Sequence, residues 1–553
     1  MNSLTQQLCR GLQTPATTKR YRDAGIGFAF IVLTQFVVIP IQITLDTHSI
    51  NFPASILVML LFSLLTIVAN YIHEGTAELY SKYLHGPTDF LGRHMSFGFV
   101  ASFVLLNRDH ISDAIDVPRI AGAFLITTLM GYVGTYVVAL GSFEIEKRFR
   151  GRRTKAHDLE SGNKSWPSPS AAWPAPSTGR PSKRPSQFPH VGVILLKNRS
   201  LSLESAKRGS ASQLIDHIAR TAPLWICITL IAIVGIPVYF TTHYEAPFEA
   251  LCFVLFWILS IQFQKSLKAS CGLLRFLRLR SALVILANPV LVTWALGTAY
   301  LWIKTAYTGR SIDTVISEFR AHNTLAESII AIREGNDLRN HIGAGDLTGP
   351  ILDAGIVCLG FKMFEYRKEL WQSFATVLTA CSTLALSSVF LNVLVARALR
   401  LQPADSLAFA ARSVTIALGI PIMQNLQGST TLMSVLVILG GILFQMIGDW
   451  LFSLLRISDR KCQDKSNGSG VTEKARGVAR ESQQRSGAAE SAVIAAGVTV
   501  GINAAAMGTA FLIERDSRAT AYSALSMTVF GAMTVALTTP LSVSGVIISL
   551  VSR

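Results

Sequence analysis

The chain has 553 residues, half of them apolar and only 15% charged, whereas an ordinary soluble domain carries about 25% charged residues. The deficit lies in uncharged runs near the ~20-residue length that a bilayer selects, which excludes a soluble fold and predicts an all-α polytopic membrane protein. The formal charge of +16 falls beside those runs and in two loops, as the positive-inside rule requires; without interleaved aromatics it does not point to nucleic acid.

The N-terminus, MNSLTQQLCRGLQTPATTKRYR, has no acid before Asp23. It reads as a basic cytoplasmic flank of the first helix, with an organellar presequence as the alternative. Apolar runs follow at 24–45, 53–69 and 120–142, with a weaker one at 90–106 that carries His94 as a polar interface residue. They predict a first membrane domain, residues 1–142, of about four helices. Residues 143–220 pass from EKRFRGRRTK into SWPSPSAAWPAPSTGRPSKRPSQFP. That composition cannot bury a core and predicts a disordered, basic cytoplasmic linker. The triplets NKS at Asn163 and NRS at Asn198 then face the cytosol and read as chance.

A second membrane domain is expected over residues 221–553, opening with runs at 222–240, 246–263 and 282–303. Ile312, Val315, Ile316 and Phe319 recur at helical spacing and predict an amphipathic helix on the non-cytoplasmic surface. Further runs lie at 348–364, 370–396 and 432–455, before a basic loop at 456–485 that belongs on the cytoplasmic side with the N-terminus and the linker. Between these anchors, segment 406–428 cannot cross fully without inverting that loop. It is expected to dip in and return, interrupted at Gly419 and Pro421. The run GINAAAMGTA, 501–510, is a second irregular segment, either re-entrant or a broken crossing helix. In all, about 11–13 transmembrane segments are expected. The two irregular ones occupy corresponding places of inverted halves, the pattern of an inverted-repeat transport domain.

Irregular backbone at membrane depth is tolerated only where protein or a wet cavity covers it. Arg412 stands out, because an ionised side chain inside an apolar span is costly and marks function. Its planar fork suits a carboxylate, with Ser413 and Thr415 as further donors. Asn425 adds an amide, and Thr499, Asn503 and Thr509 supply polar tips among small residues. Asp353, in GPILDAGIVCLGF, either titrates to couple a proton or neutralises Arg412. Lys362 and Glu365 lie near the end of that span and snorkel. The seven cysteines are scattered without a CxxC or Cys/His cluster, so neither a metal site nor a disulfide framework is expected. No nucleophile–base set or nucleotide loop appears. The expectation is a protein that is not an enzyme and holds no cofactor.

The C-terminal half resembles the LrgB (CidB) family. A basic residue followed by Ser-Val-Thr stands as Arg412-Ser413-Val414-Thr415, and a long Gly-containing helix as Gln427 to Asp449. The family's Gly…His-x-x-Gly-Thr-Ala…Glu block matches Gly501, then Gly508-Thr509-Ala510 and Glu514, and its closing block matches YSALSMTVFGAMTVALTTP. Thr348-Gly349-Pro350 looks like the family's Leu-Gly-Pro. Residues 24–142 are similar, more weakly, to the partner family LrgA (CidA), through PASILVMLL and HMSFGFV. The chain departs from the pattern at Ala505, where the family has His, and at Asn503, Cys358 and Asp353.

The resemblance implies a secondary carrier of small monocarboxylates of the glycolate, glycerate or pyruvate type, since fusions of the two families serve as plastidial glycolate and glycerate carriers. The alternative it carries is a holin-like or regulatory membrane protein. On the carrier reading Arg412, Ser413, Thr415, Asn425, Asn503, Gly508 and Thr509 bind substrate, while Asp353 and Glu514 supply coupling or countercharge. Partners would be a small organic acid and the lipid bilayer, with proton or sodium coupling and a homo-oligomer left open. The membrane of residence, an organelle included, is also left open.

Overall fold

In the computed structural model, residues 15–48, 52–73, 75–104, 116–161, 221–269, 283, 286–320, 325–333, 342–454, 475–515 and 517–552 are described. Among them ten helices are long and apolar enough to cross a membrane, and the fold is that of an all-α polytopic membrane protein. The remaining expected segments are the ones whose sequence weakens or breaks the helix. The run at 90–106 divides into a helix, a 3-10 turn over Met95–Gly98 and a second short helix.

In chain order the helices are α1 Pro15–Thr47, α2 Ala54–Ile72, α3 His85–His94, α4 Phe99–Val104 and α5 Val117–Ser161. Next come α6 Thr221–Thr242, with an internal π-turn, then α7 Ala246–Ala269, α8 Pro289–Thr308 and α9 Ile312–Phe319. The C-terminal part holds α10 Gly349–Glu365, α11 Phe374–Ala398, α12 Pro403–Ala408, α13 Ile416–Leu426 and α14 Thr430–Leu454. It ends with α15 Ala475–Glu514, α16 Ala519–Thr538 and α17 Leu541–Ser552.

Local chemistry sets the ends of several of these. Pro350 lies in the first turn of α10, where its missing N–H would have had no partner anyway. Asn288 caps α8, its Oδ1 accepting from the Val290 N–H at 2.9 Å ahead of Pro289. α5 does not stop at residue 142: it continues through the Glu-, Lys- and Arg-rich stretch to Ser161, because these unbranched side chains are good helix formers. The Pro/Ser-rich remainder of the expected linker, 162–220, lies outside the described residues, as do the N-terminal 14 residues and 456–474 of the basic loop.

The chain divides into two compact units, residues 1–21 with 147–223, and residues 22–146 with 224–553. The second unit holds the hydrophobic core. There α10 and α15 are the most enclosed spans, while α1 and α6 are the least. Phe30, Val58, Tyr80 and Leu91 pack with Val357, Phe361 and Phe364 of α10 in one buried cluster. Glycines allow the closest approaches: Gly360 faces the Met59 backbone and Gly501 faces Ser523 and Ser526, the small-residue packing that replaces a hydrophobic driving force between membrane helices. At the end of α10, Lys362 pairs with Asp89 of α3 at 2.6 Å and with Glu365 at 3.0 Å. It is therefore held in an ion-pair cluster, and the expectation that it snorkels does not hold. The amphipathic pattern at 312–319 folds as α9, and its apolar face is buried against protein, Phe319 lying 4.7 Å from Phe253 between ring centroids.

The two irregular segments have different geometries. Residues 403–429 form a hairpin: α12 enters, the chain turns over at 409–415, and α13 returns, so that the Ser429 N–H donates to the Ala404 carbonyl at 3.0 Å. This segment folds back on itself, as a segment that dips in and returns would. Its break, however, falls at Arg412–Thr415 and not at Gly419 and Pro421. α13 starts after Thr415, whose backbone is extended, and Pro421 lies within it as its sixth residue, where it leaves the Ala417 carbonyl without its helical donor but does not end the helix. The run 501–510 is different. α15 runs on through it as a broken crossing helix, interrupted at Ala505 with φ 47° and ψ −135°.

Candidate functional site

The break at Arg412 is a sequence of short pieces: α12, a 3-10 turn over Phe409–Ala411, then Arg412 to Thr415 before α13. Polar groups at this depth need partners from neighbouring helices. Arg412 is buried, and its Nη1 donates to Thr128 Oγ1 at 3.2 Å while its Nη2 donates to the Thr127 carbonyl. Both acceptors are on α5. No carboxylate among the described residues forms an ion pair with Arg412. A buried charge usually costs several kcal/mol unless an opposite charge answers it, so this guanidinium carries an uncompensated positive field. Its Nε has no hydrogen-bond partner among the described residues, nor does the buried hydroxyl of Thr415. Leaving such atoms bare typically costs about 1–3 kcal/mol each. Thr415 also stands at the N-terminus of α13 without capping its N–H groups through its side chain, and a helix N-terminus favours an anion.

The break in α15 meets the same face of α5. Asn503 donates from Nδ2 to Thr135 Oγ1 at 2.7 Å and to the Thr499 carbonyl at 3.0 Å. Gly131 sits between Arg412 and Asn503 so tightly that a Cβ added there would overlap the Arg412 Nη2 and the Asn503 Oδ1. Arg412, Asn503, Thr127, Thr128 and Thr135 are all buried and form one polar cluster. Tyr132 joins it, stacked on Phe444 of α14 at 6.1 Å with the rings 12° from parallel.

At Ala505 the torsions lie where side chains are seldom found, at a typical cost of about 1–3 kcal/mol. Side chains donate to carbonyls at and just beyond the break, in keeping with the pairing of buried backbone polar groups. Thr509 Oγ1 donates to the Ala505 carbonyl at 2.9 Å, and Gln445 Nε2 to the Met507 carbonyl at 3.4 Å. Gln445 is in turn held by Asn288 Nδ2 at 2.6 Å.

Arg412, Thr415 and Asn503 therefore lie at the cluster, and Ser413 is buried in the same turn. Thr509 faces another way and shares a hydrogen bond with Ser523 of α16 at 2.8 Å, while Gly508 packs on Phe444, Val500 and Ala504. Asn425 is half-buried at the far end of α13, and Glu514 is exposed at the end of α15. Asp353 is not beside Arg412. Its polar neighbours are Ser55 of α2 and Gln35 of α1, and no ion pair between Asp353 and Arg412 is among the described contacts. Sequence reasoning missed α5 as a wall of the site. The signal was present in ITTLMGYVGTY, residues 126–136, where three threonines and two glycines share a helix otherwise suited to lipid.

Comparison with known proteins agrees with this architecture. A family model described as the LrgB-like family matches residues 272–495 and 489–543. Holin-like protein CidB of Staphylococcus epidermidis is 26% identical over 208 residues, which cover 37% of this chain and 75% of that protein. Plastidal glycolate/glycerate translocator 1, chloroplastic, of Arabidopsis thaliana is 26% identical over 118 residues, 21% of this chain but only 23% of the translocator. No solved structure matches. The relatives' names are those of transporter and holin-like membrane proteins, and the chain is a multi-pass membrane protein of that kind. Through residues 272–543 it belongs to the LrgB-like family.

Proposed function

We propose that this protein is a secondary carrier of small monocarboxylates of the glycolate, glycerate or pyruvate type, whose carboxylate is held by Arg412. The observation that carries the reading is a buried guanidinium with no carboxylate partner among the described residues, placed at the turn between two half-helices. Its Nε–H, the Thr415 hydroxyl and the open N-terminus of α13 offer donors to an anion. Asn503 and the threonines of α5 complete the polar wall, and alternating access moves this hairpin and the broken α15 relative to their surroundings. Residues 1–142, LrgA-like by resemblance, contribute α5 to the same site. Asp353, beside Ser55 and Gln35, is the position where a proton or sodium ion couples to transport. The N-terminus, residues 143–220 and the loop 456–485 face the cytoplasm, as their basic residues favour.

The test is uptake of labelled glycolate, glycerate and pyruvate into liposomes carrying the purified full-length protein, with Arg412→Ala and Arg412→Lys alongside. The wild type should saturate. Arg412→Ala should lose at least ~100-fold in uptake efficiency, since charge-assisted hydrogen bonds are worth about 1.5–3 kcal/mol each, and Lys should restore part because it keeps the charge but not the fork. Unsaturable leakage of unrelated solutes would overturn the carrier and favour a holin-like pore.

A further inference from the structure

Tyr132 poses a question that packing does not answer. Its ring stacks on Phe444 at 6.1 Å and 12°, a contact phenylalanine would make equally well. The hydroxyl at the end of that ring is buried and has no hydrogen-bond partner among the described residues. Buried polar atoms are nearly always paired, so each exception calls for a cause. Tyr132 lies one helical turn after Thr128, whose hydroxyl accepts from the Arg412 Nη1 at 3.2 Å, so it shares the face of α5 that meets Arg412. Arg412 Nε and Thr415 Oγ1 are likewise buried and unpaired. Three unpaired groups thus gather on one guanidinium and the turn that carries it: a cationic N–H and two hydroxyls, able to donate or accept.

We infer that Tyr132 is the specificity-determining residue of the site, its hydroxyl bonding the oxygen on carbon 2 of a 2-hydroxy or 2-oxo acid whose carboxylate is held by Arg412. The inference rests on the carrier reading and adds the residue that recognises the oxygen on carbon 2. A phenol serves both substrate types, donating to a keto oxygen or accepting from a hydroxyl. A plain carboxylate such as acetate would leave the phenol unpaired. Sites built around a substrate hydroxyl discriminate strongly against analogues that lack it, for that reason. The stack on Phe444 fixes the ring, so the selectivity is built in before substrate arrives.

The experiment compares wild type with Tyr132→Phe in liposomes, measuring kcat/KM for labelled glycolate, pyruvate and acetate, with thermal melting of both proteins in detergent. Tyr132→Phe keeps the ring and the stack. It should reduce the preference for glycolate and pyruvate over acetate by about 10- to 100-fold while the melting temperature holds or rises slightly. An unchanged preference, or an equal loss for all three acids, would overturn the role. If the wild type takes up none of them saturably, the carrier reading falls and this inference with it; saturable uptake with an unaltered ratio in the variant sinks the inference alone.

Discussion

Replacing Gly131 by alanine tests the central geometry with a single methyl group. A Cβ at this position would overlap both the Arg412 Nη2 and the Asn503 Oδ1. Each must retreat by about 1 Å to reach ordinary contact distance. The Arg412 Nη2 would then lose its bond to the Thr127 carbonyl, and the guanidinium would leave the pose in which it meets a carboxylate. Misplacement on that scale costs about 100-fold in rate when it affects a substrate-positioning group. Stability should change little. The atoms displaced are the ends of side chains, and alanine favours a helix over glycine by about 1 kcal/mol, which offsets part of the strain. The assay is initial uptake of labelled glycolate into liposomes, beside a thermal melt. The control is Gly134→Ala in the same helix, where an added Cβ meets nothing within 4 Å and wild-type uptake is expected. The expected result for Gly131→Ala is uptake reduced by ~10- to 100-fold with a melting temperature close to wild type. Wild-type uptake by Gly131→Ala would refute the convergence of Arg412 and Asn503 on this face of α5.

Two further outcomes follow from the break in α15. Ala505→Gly removes the Cβ from a φ of 47° and should stabilise the protein by about 1 kcal/mol, read as a raised melting temperature, whereas Ala505→Val should lower it; the reverse order would refute a strained backbone there. Thr509→Val removes the hydroxyl shared with Ser523 and the Ala505 carbonyl, so stability should fall by about 1–2 kcal/mol with KM for glycolate unchanged. A raised KM at full stability would instead place Thr509 in contact with substrate.

The sequence by itself determined the class of the protein. Fifteen per cent charged residues and uncharged runs of membrane length leave a helical bundle as the solution, because helices satisfy their backbone within each segment. It also singled out Arg412 and Asn503, since a charge and an amide inside apolar runs stand out against composition alone. Parity of the basic loops gave the expectation that 406–428 turns back on itself, and the bond from Ser429 to Ala404 closes a helical hairpin there.

The location of the breaks and the membership of the site were decided by tertiary structure. Proline and glycine suggested Gly419 and Pro421, but a helix can begin shortly before a proline, and the turn formed where Arg412 finds acceptors on α5. The break in α15 fell on Ala505, an alanine with no breaking tendency of its own, where side chains of Thr509 and Gln445 bond the Ala505 and Met507 carbonyls. Thr127, Thr128, Gly131, Tyr132 and Thr135 stand 277 to 285 residues before Arg412, so no local pattern could assign them to its site. One of the two readings of Asp353 made it a countercharge for Arg412, from charge alone. Charge complementarity acts through space and not along the chain, and the fold set Asp353 beside Gln35 and Ser55, leaving Arg412 unneutralised.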